Sequence, residues 1–108
     1  MAAEKDFENK IKKYIKSVGG KPIKYMGTAY TEAGIPDIIA CINGYFVGIE
    51  VKAQNGTPSE LQLVKIRDIR DAGGFAYVVY PSGWVKIKKI IDGLLIEEFR
   101  RDEEVILK

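Results

Sequence analysis

The chain has no histidine and a single cysteine, Cys41. Without histidine there are no imidazole zinc sites, no Ser-His-Asp triad and no use of the commonest general base. One cysteine rules out an internal disulfide and fits a reducing compartment. No apolar run approaches the roughly 20 residues needed to span a bilayer. The first residues, with Glu4, Lys5, Asp6 and Glu8, lack signal-peptide character. These absences lead us to expect a cytoplasmic protein without a membrane partner. There is also no G-x-x-x-x-G-K-[ST] loop, so no nucleotide cofactor is expected. Any catalysis must run on carboxylates, lysines, tyrosines or a metal held by oxygen ligands.

The 108 residues suit one domain, 1–108, with a single two-layer core. The formal net charge is only +2, but the lysines are clustered. Lys10, Lys12, Lys13, Lys16, Lys21 and Lys24 come early, and Lys86, Lys88 and Lys89 form a second group. The early cluster reads either as a solvated helix face or as a surface for phosphate contact.

Residues 4–18 are predicted to be helical, because Phe7, Ile11, Tyr14, Ile15 and Val18 recur at helical spacing and Gly19-Gly20 follows. Lys21 to Met26 is a short strand candidate, and 27–34 reads as a loop. Pro36 to Ile42 and Tyr45 to Lys52 read as strands around Asn43-Gly44, the strongest short hairpin signal. Thr57 as N-cap, Pro58 at the first helical position and Glu60 three residues on predict a helix start. Its apolar stripe would be Leu61, Val64, Ile66, Ile69 and Ala72, with Gly73-Gly74 as the stop. Phe75 to Tyr80 reads as a buried strand, returning parallel through a right-handed crossover. Residues 84–92 read as a helix with Trp84, Ile87, Ile90 and Ile91 inward, and 94–108 is open between strand pair and helix.

Counted out from the turn, the hairpin register pairs Asp37 with Glu50. One face of the ribbon carries Ile38, Ala40, Ile42, Tyr45, Val47, Ile49 and Val51. The other carries Asp37, Ile39, Cys41, Phe46, Gly48, Glu50 and Lys52, with charge only at its far end. Both faces are apolar near the turn, so the hairpin is expected to be covered on both sides, with Cys41 in the core. Directly opposed carboxylates repel, and a chain that tolerates them usually has a cation between them or a shared proton. An Asp, a Glu and a Lys at one end of a sheet suit hydrolysis assisted by Mg²⁺ or Mn²⁺. Lys52 can place or deprotonate a water and offset charge building on a phosphate. Without metal, one carboxyl of the pair is expected to titrate high, and metal affinity to fall as pH drops. Tyr25, Tyr30 and Tyr80 could stack on nucleic-acid bases, but the sequence does not place them.

Gly34-Ile35-Pro36-Asp37, followed by Glu50-Val51-Lys52-Ala53, resembles the PD-(D/E)xK nuclease signature, most closely its VRR-NUC branch, the virus-type replication-repair nucleases. The resemblance covers roughly residues 5–80. It implies a restriction-endonuclease-like α/β fold, a mixed β-sheet core in the order α-β-β-β-α-β flanked by helices. Pro58-Ser59-Glu60-Leu61-Gln62 resembles the family's helix-start motif, whose glutamine faces the site. The implied catalytic residues are Asp37, Glu50, Lys52 and Gln62. The implied metal ligands are Asp37, Glu50, the Val51 backbone carbonyl and Glu8 from the first helix. Lys24 falls where the family often has a basic residue near the scissile phosphate, and Lys13 and Lys16 of the early cluster are further candidates for nucleic-acid contact. The implied activity is structure-selective, metal-dependent endonucleolytic cleavage of branched DNA such as Holliday junctions or flaps. A homodimer is implied too, with Leu94, Leu95, Ile96 and Phe99 as interface candidates, and a virus or prophage as the source. The alternative is a nucleic-acid-binding subunit that keeps the fold but does not cleave.

Overall fold

The chain folds in the order α1 (Ala2–Ser17), β1 (Lys21–Ile23), β2 (Ile38–Ile42), β3 (Tyr45–Val51), α2 (Glu60–Asp71), β4 (Phe75–Val79) and α3 (Trp84–Leu95), the last entered through a 3₁₀ turn at Pro81–Gly83. This computed structural model describes residues 2–25, 33–96 and 105–106. The four strands form one mixed sheet in the order β1-β2-β3-β4. The first three are antiparallel, and β4 joins β3 in parallel through the crossover that contains α2. Among the described residues no helix is long and apolar enough to cross a membrane.

The hairpin forms as its turn chemistry dictates. Asn43 and Gly44 both have positive φ, 49° and 85°, which the two-residue turn requires and which Asn and Gly tolerate best. Ile42 therefore faces Tyr45, Cys41 faces Phe46, and the ladder runs out to Ile38 opposite Ile49. The face carrying Ile38, Ala40, Ile42, Val47, Ile49 and Val51 is buried. It packs against α1 through Phe7, Ile11 and Ile15 and against α3 through Ile87, Ile91 and Leu94. Each such side chain removed from water contributes about 1.5–3 kcal/mol. Trp84 packs here as well, edge-on to both Phe7 and Tyr14, with ring centroids 6.3 and 5.7 Å away.

The opposite face is covered only in part. α2 lies over β3 and β4, where Ile66 is buried and Ile69 sits above Gly48. A Cβ on Gly48 would come within 3.0 Å of the Ile69 side chain, so glycine is what lets the helix approach the sheet. Toward the turn the face is open. Cys41 is exposed and Phe46 is 47% exposed, which corrects the expectation of a fully covered hairpin and a core cysteine. The physical reason is reach: α2 covers the middle of β3 and β4 and leaves Cys41 and Phe46, opposite each other at the turn end of the hairpin, largely uncovered. The predicted stripe of α2 fails for the same reason. Ile66 and Ile69 point at the sheet, whereas Leu61, Val64 and Ala72 are exposed.

The start of α2 is two residues later than predicted. Ser59, not Thr57, is the N-cap. Its hydroxyl accepts from the Gln62 N–H at 3.1 Å, and the Gln62 side chain accepts from the Ser59 N–H at 2.9 Å. Two overlapping cap patterns compete in this stretch, and the one whose third residue is glutamine closes the reciprocal pair. Ser59→Ala is expected to cost about 1 kcal/mol, against less than about 0.5 kcal/mol for Thr57→Ala. Urea unfolding of both variants checks the assignment.

Three further expectations change. β1 ends at Ile23, short of the predicted Met26, which lies outside the described residues. α3 extends to Leu95 instead of residue 92. Leu94 is buried in the core and Leu95 packs partly against it, so these two are not spare interface residues. Ile96 is exposed, and Phe99 lies outside the described residues.

Candidate active site

Asp37 stands one residue before β2, after the fully buried Pro36. The antiparallel ladder ends at Ile38 and Ile49. The Asp37 side chain extends it, because its Oδ2 accepts from the Val51 N–H at 2.8 Å. This bond ties the Asp37 carboxyl to the strand that carries Glu50.

Glu50 projects from β3 on the same face as Gly48 and Lys52. It is 2% exposed and is the one buried charged residue among those described. Its Oε2 accepts from Gln62 Nε2 at 2.9 Å and lies 3.6 Å from Lys52 Nζ. Its Oε1 is buried and, as a carboxylate oxygen, meets no donor among the described residues; only with a proton on Glu50 can it bond to Asp37. Burial, and then the charge and hydrogen bonding of Asp37, push the Glu50 carboxyl up to about 7, against the pull of Lys52. The expected high-titrating member of the pair is thus Glu50. A carboxylate oxygen left unpartnered at this depth costs on the order of 1–3 kcal/mol or more.

Gln62 holds a fixed orientation. Its Oε1 is engaged by the Ser59 N–H, which leaves the amide nitrogen to face Glu50. The helix cap and the carboxylate are therefore parts of one hydrogen-bonded chain. The segment after β3 is braced as well. Glu4 Oε2 accepts from the Ala53 N–H at 3.3 Å, and the Tyr80 hydroxyl donates to the Gly56 carbonyl at 2.9 Å. Gln54 and Ser82 exchange two hydrogen bonds, of 3.0 and 3.1 Å. Sequence reasoning missed Glu4, because an acidic residue in a helix's first turn has an ordinary explanation in the helix dipole.

Glu8, on α1, lines the same cavity as Asp37. Its Oε2 is held by Lys12 at 2.7 Å and Lys5 at 3.1 Å. Burial raises its pKa, but the bonds and charges of these two lysines outweigh that and leave it below the usual carboxylate value. Among the described residues no three acidic side chains lie close enough to hold a metal ion as a group. The structure thus brings Asp37, Glu50, Lys52 and Gln62 together and leaves Glu8 paired with lysine. Lys16 and Lys24 line the cavity. Lys13 is exposed and is not part of that lining.

Tyr25 also lines the cavity, a placement the sequence left open. Its hydroxyl donates to the Pro36 carbonyl at 2.8 Å, directly before Asp37. Burial, and then the charges of Asp37, Glu50 and Glu8, raise its pKa, so the phenol keeps its proton. Tyr80 is committed to Gly56, and Tyr30 lies outside the described residues. No family model matches the chain, and no curated protein matches it.

Proposed function

We propose that the chain is a metal-dependent nuclease with a restriction-endonuclease-like core, of the VRR-NUC kind, acting on branched DNA. The observation that carries this reading is the buried Glu50 carboxylate. One of its oxygens has no partner, and Asp37 and Lys52 stand beside it at one end of the sheet. A chain that places a carboxylate there without a use for it loses stability for nothing. The donor set is all oxygen, which suits Mg²⁺ or Mn²⁺. Asp37, Glu50 and the Val51 carbonyl would hold the ion, which when bound supplies polarisation of a phosphoryl oxygen.

The chain's own groups do the remaining work. Gln62 fixes the Glu50 carboxylate in place. Lys52, 16% exposed at its side chain, is close enough to the pair to donate to a phosphate oxygen and to offset the charge that builds there. The Asp37 bond to the Val51 N–H holds the Asp37 carboxyl against the strand that carries Glu50. The lysines of α1 and β1 hold the rest of the strand.

The second reading, a DNA-binding subunit that does not cleave, draws on Glu8, which is tied to Lys5 and Lys12 instead of joining the pair. One experiment separates the two. Wild type and Asp37→Asn are incubated with branched and linear duplexes in Mg²⁺ or Mn²⁺, and Mn²⁺ binding is followed by calorimetry. Asparagine keeps an oxygen for the Val51 N–H, so the fold survives the change. The nuclease reading expects branched-DNA cleavage that falls by about 10³-fold or more in the variant, with loss of the Mn²⁺ heat. Equal cleavage by both proteins removes it. DNA binding without Mn²⁺ heat in wild type selects the second reading.

A further inference from the structure

Beside Asp37 lies a cavity of about 630 Å³, lined by Lys5, Lys12, Lys16, Lys21, Lys24 and Tyr25. We propose that this cavity takes an unpaired nucleotide of the substrate strand, with the lysines on its phosphates and the Tyr25 ring against its base. The strand next to the cut would then be single-stranded and not part of a continuous duplex. The inference rests on the nuclease reading for the identity of the strand as substrate, and it adds which part of a branched molecule enters the site.

Charge is the first argument. Five lysines face two carboxylates, Glu8 and Asp37, across the cavity. Glu8 occupies Lys5 and Lys12. Lys16, Lys21 and Lys24 form no ion pair among the described residues. These three come from the end of α1 and from β1 and its exit, so they line a path and not a point. Spaced cations along a groove track a phosphodiester backbone.

Size and the aromatic ring decide between strand forms. A recess of this volume falls within the range of pockets that enclose a single small ligand, roughly 300–1,000 Å³. Tyr25 is 39% exposed although its hydroxyl is bonded to the Pro36 carbonyl at 2.8 Å. The ring is thus both anchored and accessible, so stacking a base on it orders little that is not ordered already. Stacking needs an unpaired base, and any base will serve because each has a π-face. The bond to Pro36 holds the Tyr25 hydroxyl one residue from Asp37.

Binding measured in EDTA tests this without any cleavage. The probes are a fluorescein-labelled single strand, a blunt duplex of the same sequence and a duplex carrying a single-stranded flap, read by anisotropy. Wild type is expected to bind the single strand and the flap at least about tenfold more tightly than the blunt duplex. Tyr25→Leu is expected to weaken flap binding by roughly 5- to 150-fold, the range for loss of one stacked base. Tyr25→Phe, which keeps the ring, is expected to stay within a few-fold of wild type. Lys16→Gln and Lys24→Gln are each expected to lower the salt slope of flap binding by about 0.7. A flap carrying 5-iodouracil, photo-cross-linked to wild type and mapped by mass spectrometry, is expected to give an adduct at Tyr25, and this readout needs no variant to fold. Blunt-duplex binding as tight as flap binding, or adducts only at other residues, overturns the proposal. If metal-dependent cleavage persists in that case, the nuclease reading survives alone. A Tyr25 adduct with no cleavage in metal leaves this site standing and removes the nuclease.

Discussion

Glu50→Gln is expected to make the metal-free protein more stable at about pH 8 by on the order of 2–3 kcal/mol, while abolishing Mn²⁺ binding and cleavage. The sign follows from the folded-state pKa of Glu50, about 7 against an ordinary 4.5. Below the ordinary value Glu50 is protonated in both folded and unfolded chains and carries no penalty. As pH rises from there to about 7, the unfolded chain gives up the proton first, so wild type loses stability across that window. The lowered pKa of Glu8 acts on the acidic side of the window, and the raised pKa values of Tyr14 and Tyr25 act above it. None of the three masks the effect. Glutamine suits the site: its oxygen can accept from Gln62 where Oε2 does now, and its amide nitrogen can donate to Asp37 from the position of the unpartnered Oε1. Thermal melts in EDTA from about pH 5 to about pH 8 are expected to fall for wild type by on the order of 10 °C and to stay nearly level for the variant. Adding Mn²⁺ at about pH 8 is expected to restore wild type only. Equal slopes for the two proteins would mean that the Glu50 carboxylate is not held against its charge.

Lys52→Met is expected to slow cleavage by about 10²- to 10⁴-fold, and to move the pH dependence of metal binding upward. The second effect identifies the mechanism. Lys52, 3.6 Å from Glu50 Oε2, is the group that pulls the Glu50 pKa down against burial and Asp37. Without it Glu50 holds its proton to higher pH, and a proton on Glu50 competes with the ion. Single-turnover cleavage gives the rate loss, and Mn²⁺ titrations at several pH values give the shift. A lysine that served only to pack its alkyl chain would leave the titration profile where it was.

The hairpin and the helix-strand order were legible in the sequence because they depend on local chemistry. Asn43-Gly44 determines the turn, the turn determines the register, and the register brings Asp37 and Glu50 to one end. What could not be read off was which surfaces another element reaches. Cys41 and Phe46 have the hydrophobicity of core residues but lie beyond α2. Leu61 and Val64 follow helical spacing yet face away from the sheet, because the close approach at Gly48 rotates Ile66 and Ile69 inward. Leu94 belongs to the core since α3 runs one turn further than its periodicity suggested. Within the site, the partnership of Glu8 with Lys5 and Lys12 was hidden by equally plausible neighbours along α1. Tyr25 was not placeable, because a ring after a short strand has no periodicity to orient it.

The two-residue turn also imposes a rule of parity on the arm that follows it. Tyr45, Val47, Ile49 and Val51 share one side of β3, and Phe46, Gly48 and Glu50 share the other. Lengthening that arm by one residue would exchange odd for even all the way along. Glu50 would turn into the apolar core, and an isoleucine would take its place beside Asp37. The tip of the ribbon, six residues and roughly 20 Å from the acidic end, thus carries a constraint on length as strict as any constraint on identity at the site itself.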